Sequence, residues 1–226
     1  MALSVYPEEP AASGWLVAPL GEAAEMLLDG APVGRPTIVA VDGRSGAGKT
    51  TVAERLRGVL PAAGVVHIDD VAWYHSDSFF GWVDLLVTGI VEPVLRGARV
   101  RLRPPAWSLR GREGAIEVSA HRRVLLIEGV GAGREELAHL VDATIWVQSD
   151  SDKARQRGIA RDGGDQAAED FWDRYAAAER PFLAHHRPWE HATLVIAGTP
   201  HLHHDPRTEI LVAPGPIRPD IDVPHT

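Results

Sequence analysis

Five short runs of nearly continuous apolar residues punctuate the chain: Thr37–Val41, Gly64–Ile68, Val124–Ile127, Ala143–Val147 and Thr193–Ile196. Without polar alternation, such runs predict strands buried on both faces, as in a parallel sheet. Stretches of helical periodicity lie between them, at about 49–60, 82–96, 133–140, 151–162 and 167–186. Strand and helix alternate throughout, which predicts a three-layer α/β/α domain with a mainly parallel five-stranded sheet.

One segment breaks the rhythm. Arg99–Arg103 and Ala115–Ser119 alternate polar and apolar residues around a loop rich in Pro and Gly, the pattern of a small antiparallel ribbon. The ends differ from the middle. Residues 1–34 carry several prolines and one apolar-periodic stretch, Leu20–Leu28, which predicts a short helix on an N-terminal extension. Residues 199–226 are rich in proline and histidine with little periodic apolar pattern, and predict a loose tail. The domain proper is expected at 35–198.

Composition narrows the function classes. The chain has 226 residues, 23 basic and 31 acidic, for a net charge of -8. That balance argues against nucleic acid as a partner, because phosphate neutralisation calls for a basic face. No apolar run approaches the length of a membrane span, and the first positive side chain is Arg35, so neither a membrane partner nor a signal peptide is expected. The chain has no Cys, which removes thiolate chemistry and Cys-ligated metals and fits a cytoplasmic location. The oligomeric state is not legible in the sequence. Lys49 and Lys153 are the only lysines, which makes the placement of Lys49 informative.

Lys49 falls in Gly43-Arg44-Ser45-Gly46-Ala47-Gly48-Lys49-Thr50, an ungapped match to the phosphate-loop pattern G-x-x-x-x-G-K-[ST]. A predicted strand runs into it and a predicted helix leaves it at Thr51. In this context the glycines let successive N–H groups face one anion, and the helix start adds partial positive charge. ATP is the expected ligand, held by residues 43–51, with Lys49 reaching the β- and γ-phosphates and Thr50 coordinating Mg²⁺. The guanine-reading motif Asn-Lys-x-Asp is absent, which speaks against a GTPase switch.

Further candidates sit at predicted strand ends, where ligands of open α/β sheets bind. Asp69 and Asp70 follow the second strand; a carboxylate there either accepts the proton of an attacking hydroxyl or helps hold the metal, and adjacency lets only one face the site. Glu128 ends the third strand, placed to bind Mg²⁺ directly or through water. Arg157 and Arg161 share a helix face, suited either to clamping phosphates or to an ordinary solvated surface. The aromatics Trp73, Tyr74, Phe79, Phe80, Trp82 and Trp107 either wall an acceptor pocket or belong to the core. His201, His203, His204 and Asp205 have metal-like composition but lie in the loose tail.

Together, the phosphate loop, Asp69 with its trailing aromatics, the ribbon with Trp107, the Ile127-Glu128-Gly129 strand end and the Arg-bearing helix at 151–162 resemble the uridine kinase and phosphoribulokinase family of P-loop kinases, over about residues 36–198. The resemblance implies transfer of the ATP γ-phosphate to a hydroxyl of a small molecule, in uridine kinases the 5′-hydroxyl of uridine or cytidine. It further implies that Asp69 is the general base, Glu128 the magnesium-associated glutamate and Arg161 a lid arginine. Residues 178–182 match the helix before the last strand. The chain departs from the family where it contacts the acceptor: no acid precedes Asp84 in the segment matching Phe80-Gly81-Trp82, Trp107-Ser108 with Arg110 and Arg112 replaces a Tyr-Asp pair and a His, and Gly158 replaces a lid arginine. Asp70, Trp73, Tyr74, Trp107 and Arg110 are the expected acceptor contacts. The arginines of the ribbon leave room for a phosphorylated acceptor such as a nucleoside monophosphate, or another metabolite alcohol. A regulatory module that binds ATP without turnover is the non-enzymatic alternative.

Overall fold

In a computed structural model, which describes residues 3–73 and 81–218, the apolar runs form the middle of one sheet. The chain order is β1 (Leu16–Pro19), α1 (Leu20–Leu28), β2 (Thr37–Gly43), α2 (Lys49–Arg57), β3 (Ala63–His67), α3 (Ile68–Val71), α4 (Val83–Leu86), a π-helical turn (Val87–Val91), α5 (Glu92–Leu95), β4 (Val100–Leu102), α6 (Pro105–Leu109), β5 (Ile116–Val118), β6 (Val124–Glu128), β7 (Ala143–Gln148), α7 (Ser151–Arg161), α8 (Gln166–His186), β8 (Leu194–Ala197) and β9 (Glu209–Pro214). The five expected strands run parallel in the order β3, β6, β2, β7, β8. Side chains alternate across β2: Val39 and Val41 join Val52, Ala53 and Leu56 of α2, while Ile38 and Ala40 face Trp82, Leu86 and Ile90. Helices on both faces cover strands without polar positions, and the result is the three-layer architecture expected.

Among the described residues the sheet has seven strands rather than five. β9 pairs antiparallel with β8, and β1 with β9. The expected loose tail therefore contains a strand, with Ile210, Leu211, Val212 and Ala213 buried, and the sheet runs past residues 35 and 198 on both sides. Four apolar residues between polar neighbours are too few for periodicity to reveal, and only the edge of β8 makes them a strand.

One helix expectation is corrected. The stretch 133–140 holds only a 3₁₀ turn at Glu135–Leu137, because the preceding loop is drawn in by Asp42, which accepts from Gly131 N at 3.0 Å and Gly133 N at 2.9 Å. The helix expected at 82–96 forms over 83–95, with its middle turn π-helical; within that turn Gly89 is approached by Leu102, whose methyl would lie 3.1 Å from an added Cβ. The ribbon forms as expected, β4 pairing antiparallel with β5, with α6 between them. Among the described residues no helix is long and apolar enough to cross a membrane.

Candidate nucleotide and acceptor site

β2 lies between β6 and β7, so the phosphate loop leaves the sheet where the chain's crossovers diverge to opposite sides. Crevices at such points are the usual ligand sites of open α/β sheets. Gly48, at φ 97°, caps α2 in a conformation that side-chain-bearing residues rarely adopt. At Gly46 an added Cβ would lie 2.3 Å from the carbonyl oxygen of Ala154, so the first turn of α7 rests directly on the loop. Lys49 is buried, and its Nζ donates to the Arg44 carbonyl at 3.0 Å.

The loop opens on a cavity of about 660 Å³. Of the residues expected at the site, Ser45, Gly46, Gly48, Lys49, Thr50 and Thr51 line it, with Asp69, Trp73, Glu128, Arg157 and Arg161 completing the wall. Thr50 Oγ1 donates to Glu128 Oε2 at 3.3 Å. The same oxygen is 2.6 Å from His67 Nδ1, since His67 and Glu128 are register partners on β3 and β6. That hydrogen bond raises the pKa of His67 against the opposing effect of its burial. A hydroxyl beside a carboxylate is a donor set suited to Mg²⁺, and the glycine-shaped loop with its buried lysine suits a triphosphate, so the residues present fit both groups.

Asp69 is exposed on the cavity wall, whereas Asp70 turns to the ribbon, accepting from Arg112 Nη2 at 2.5 Å. Trp107 is buried under that ribbon and donates from Nε1 to the Asp70 carbonyl at 2.9 Å. Arg110 is exposed. Asp70, Trp107 and Arg110 are therefore not among the described residues of the cavity wall: Asp70 is held by Arg112, and Trp107 is packed in the core. Trp82 is fully buried core. Gly43 and Ala47 belong to the loop but not to the cavity lining; Ala47 is fully buried, its carbonyl against Gly198 of the loop after β8. Tyr74, Phe79 and Phe80 lie outside the described residues.

Helices α7 and α8 hold what the sequence missed. Trp172 of α8 sits on Gly158 of α7 so closely that an added Cβ would come within 1.9 Å of its ring. The space beside Gly158 is thus filled by an indole. Phe171 and Tyr175, one helical turn apart on α8, line the cavity with it. The burial of Tyr175 raises its pKa, with the nearby Glu179 acting in the same direction. Arg161 pairs with Asp162 at 2.9 Å, and Arg157 donates to the Gly198 carbonyl at 3.0 Å and Ser149 Oγ at 2.6 Å. Burial lowers the pKa of Arg157. Glu179 accepts from the Ser45 N–H at 2.7 Å, and Asp42 is wholly buried behind the loop, its pKa raised to about 6 by burial. Asp42 had one signal, a carboxylate between an apolar strand and the first loop glycine. Phe171, Trp172 and Tyr175 read simply as the apolar face of a helix.

No family model matches the chain. A curated uridine kinase from Streptococcus pyogenes is 24% identical over 164 residues, covering 65% of this chain and 79% of the relative. One from Halalkalibacterium halodurans is 25% identical over 164 residues, covering 65% and 78%. A solved protein from Silicibacter sp. TM1040, provisionally described as a fructose transport system kinase, matches with a TM-score of 0.50 at 21% identity, covering 67% of this chain and 86% of that one. The chain has the fold of a P-loop kinase. In sequence it is similar to uridine kinases.

Proposed function

We propose that the protein is an ATP-dependent kinase that phosphorylates a hydroxyl of a small, unphosphorylated acceptor, with nucleosides such as uridine or cytidine the favoured class. The observation that carries this reading is that the phosphate loop, the Thr50–Glu128 pair and Asp69 face one cavity. Lys49, Thr50 and the loop N–H groups hold the phosphates, and Thr50 with Glu128 holds Mg²⁺, which when bound neutralises charge on the phosphate oxygens. Asp69 accepts the hydroxyl proton of the acceptor. Arg157 and Arg161, on one face of α7, cover the site from the lid side, and much of the rate gain comes from positioning and charge neutralisation.

Charge and shape support this acceptor class. Arg99 and Arg101 pair with Glu117 at 3.3 and 3.0 Å, Arg112 pairs with Asp70, and Arg103 donates to the Arg112 carbonyl at 2.7 Å. None of the ribbon arginines is among the described residues lining the cavity, which favours an acceptor without a phosphate of its own. Trp73, Phe171, Trp172 and Tyr175 supply flat apolar surface on which a ring can stack. The test is ADP release from Mg·ATP with uridine, cytidine, their monophosphates or no acceptor, with Lys49→Ala as blank. Stimulation by the nucleosides alone is expected. Stimulation only by monophosphates replaces the acceptor class, and nucleotide binding without stimulation by any acceptor turns the reading to a non-catalytic ATP-binding module.

A further inference from the structure

The N-terminal extension crosses the back of the phosphate loop and ties it to the sheet and the lid. Ser151 N donates to the Ser4 carbonyl at 2.8 Å, Ser4 N to Asp150 Oδ2 at 3.2 Å, and Ala12 N to Gln148 Oε1 at 2.8 Å. Between these anchors, Tyr6 lies under two guanidinium groups, Arg44 at 4.3 Å and Arg180 of α8 at 4.8 Å. Glu9 is the centre of the contact. Its Oε1 accepts from Trp146 Nε1 at 2.8 Å and Gln148 Nε2 at 2.9 Å, both on β7, and its Oε2 accepts from Arg44 Nε at 2.7 Å. Both partners of this ion pair are buried, with side-chain exposures of 7% and 2%.

Arg44 is the second residue of the phosphate loop, and its main chain is a hub within it. Its carbonyl accepts from Lys49 Nζ and from Ala47 N, each at 3.0 Å. A side chain clamped at one end fixes the peptide at the other, so the geometry of the lysine and of the loop N–H groups depends on what holds the guanidinium. All three groups around Glu9 are N–H donors, and only a carboxylate offers acceptors to both sides. An amide in its place would aim its own N–H₂ at a donor whichever way it turned.

We infer that Glu9 is a positioning residue for the nucleotide site: it clamps Arg44 to β7 and thereby sets the loop shape in which Lys49 and the loop N–H groups meet the phosphates. The inference rests on the kinase reading for its ligand, but the loop shape itself is measurable without nucleotide. Small misplacements remote from the chemistry are costly in such sites, on the order of 10²-fold for about 1 Å.

The test uses the full chain with Glu9→Gln, and with Glu8→Gln as control because Glu8 approaches Arg44 only at 3.4 Å. In nucleotide-free protein, amide hydrogen exchange over residues 43–50 is expected to speed up in Glu9→Gln and not in Glu8→Gln, with β6 unchanged in both. In steady-state assays the KM for Mg·ATP is expected to rise roughly tenfold or more in Glu9→Gln, while the acceptor KM stays within about twofold. A folded Glu9→Gln protein with wild-type exchange over the loop, or with faster exchange but wild-type KM for Mg·ATP, overturns the inference. Should Glu9→Gln fail to fold, the double variant Glu9→Gln/Arg44→Gln strands neither charge and is expected to show the same loosened loop and raised KM; wild-type values for either overturn it. If the wild type itself fails to bind Mg·ATP, the kinase reading falls, and the exchange measurement alone decides whether Glu9 shapes the loop.

Discussion

Asp69 is exposed at the cavity wall, while Asp70 is held by Arg112, so one carboxylate of the pair is available to an acceptor. Replacing Asp69 with Asn keeps the shape but removes the carboxylate that, on the proposed reading, accepts the hydroxyl proton. Turnover is expected to fall by about 10²- to 10⁴-fold with Mg·ATP affinity nearly unchanged, as measured by acceptor-dependent ADP release beside calorimetric nucleotide titration. A fall in both would mean that Asp69 supports the nucleotide rather than the acceptor. Gly158 is the other decisive single residue. Any side chain there must displace the Trp172 ring, which is wedged between α7 and α8, so Gly158→Ala is expected to destabilise the protein by about 1–3 kcal/mol in urea unfolding. The glycine was visible in the sequence as a departure from the family, but its cause lies 14 positions further along, in an indole that only the folded lid brings to it.

At the scale of elements, the loop after β6 shows how polar groups shape a segment that periodicity reads as helix. Asp42 holds the Gly131 and Gly133 N–H groups, and Arg134 is buried against Trp82 and Phe182 with its guanidinium on Glu136 at 2.7 Å. Arg134 draws the pKa of Glu136 down to about 2. A carboxyl depressed in the folded state contributes stability that is present above its ordinary value near 4.5 and lost as pH falls towards 2. Glu136→Gln is therefore expected to lower the Tm at pH 7, with the gap from wild type closing between about pH 4.5 and 2 in a melting series. A gap that stays constant across that range would refute the assignment. The helices α7 and α8 were legible because each carries enough residues for a period to show, and the ribbon because polar and apolar residues alternate on both sides of its Pro- and Gly-rich loop. The π-helical turn was not, since the close approach of Leu102 to Gly89 joins elements that the sequence keeps apart.

At the scale of the whole molecule, the two chain ends complete the sheet. β9 seals the β8 edge and carries β1 beyond it, with Ile210, Leu211 and Val212 buried. Burial of each such side chain is worth about 1.5–3 kcal/mol, so their sum is comparable to the entire stability of an ordinary domain. A chain ended at residue 198 is accordingly expected to lose cooperative unfolding or to aggregate through the bared β8 edge, read by urea melts and size-exclusion chromatography. Retention of wild-type unfolding would show that the five parallel strands suffice.

The sequence by itself determined the alternation of strands and helices, the phosphate loop and the strand-end positions of Asp69 and Glu128. Each of these follows from local chemistry: continuous apolar runs, glycines at fixed spacing, and acids at the ends of buried strands. Tertiary structure alone decided which of two adjacent aspartates faces the cavity, that the ribbon arginines are engaged by their own neighbours, that α8 walls the site with aromatics, and that residues 4–12 brace the phosphate loop. Those features rest on contacts between residues from nine to more than a hundred positions apart, such as Arg103 with Arg112 or Glu9 with Trp146. No periodicity records such contacts, because pairing and burial exist only once the sheet has brought the partners together.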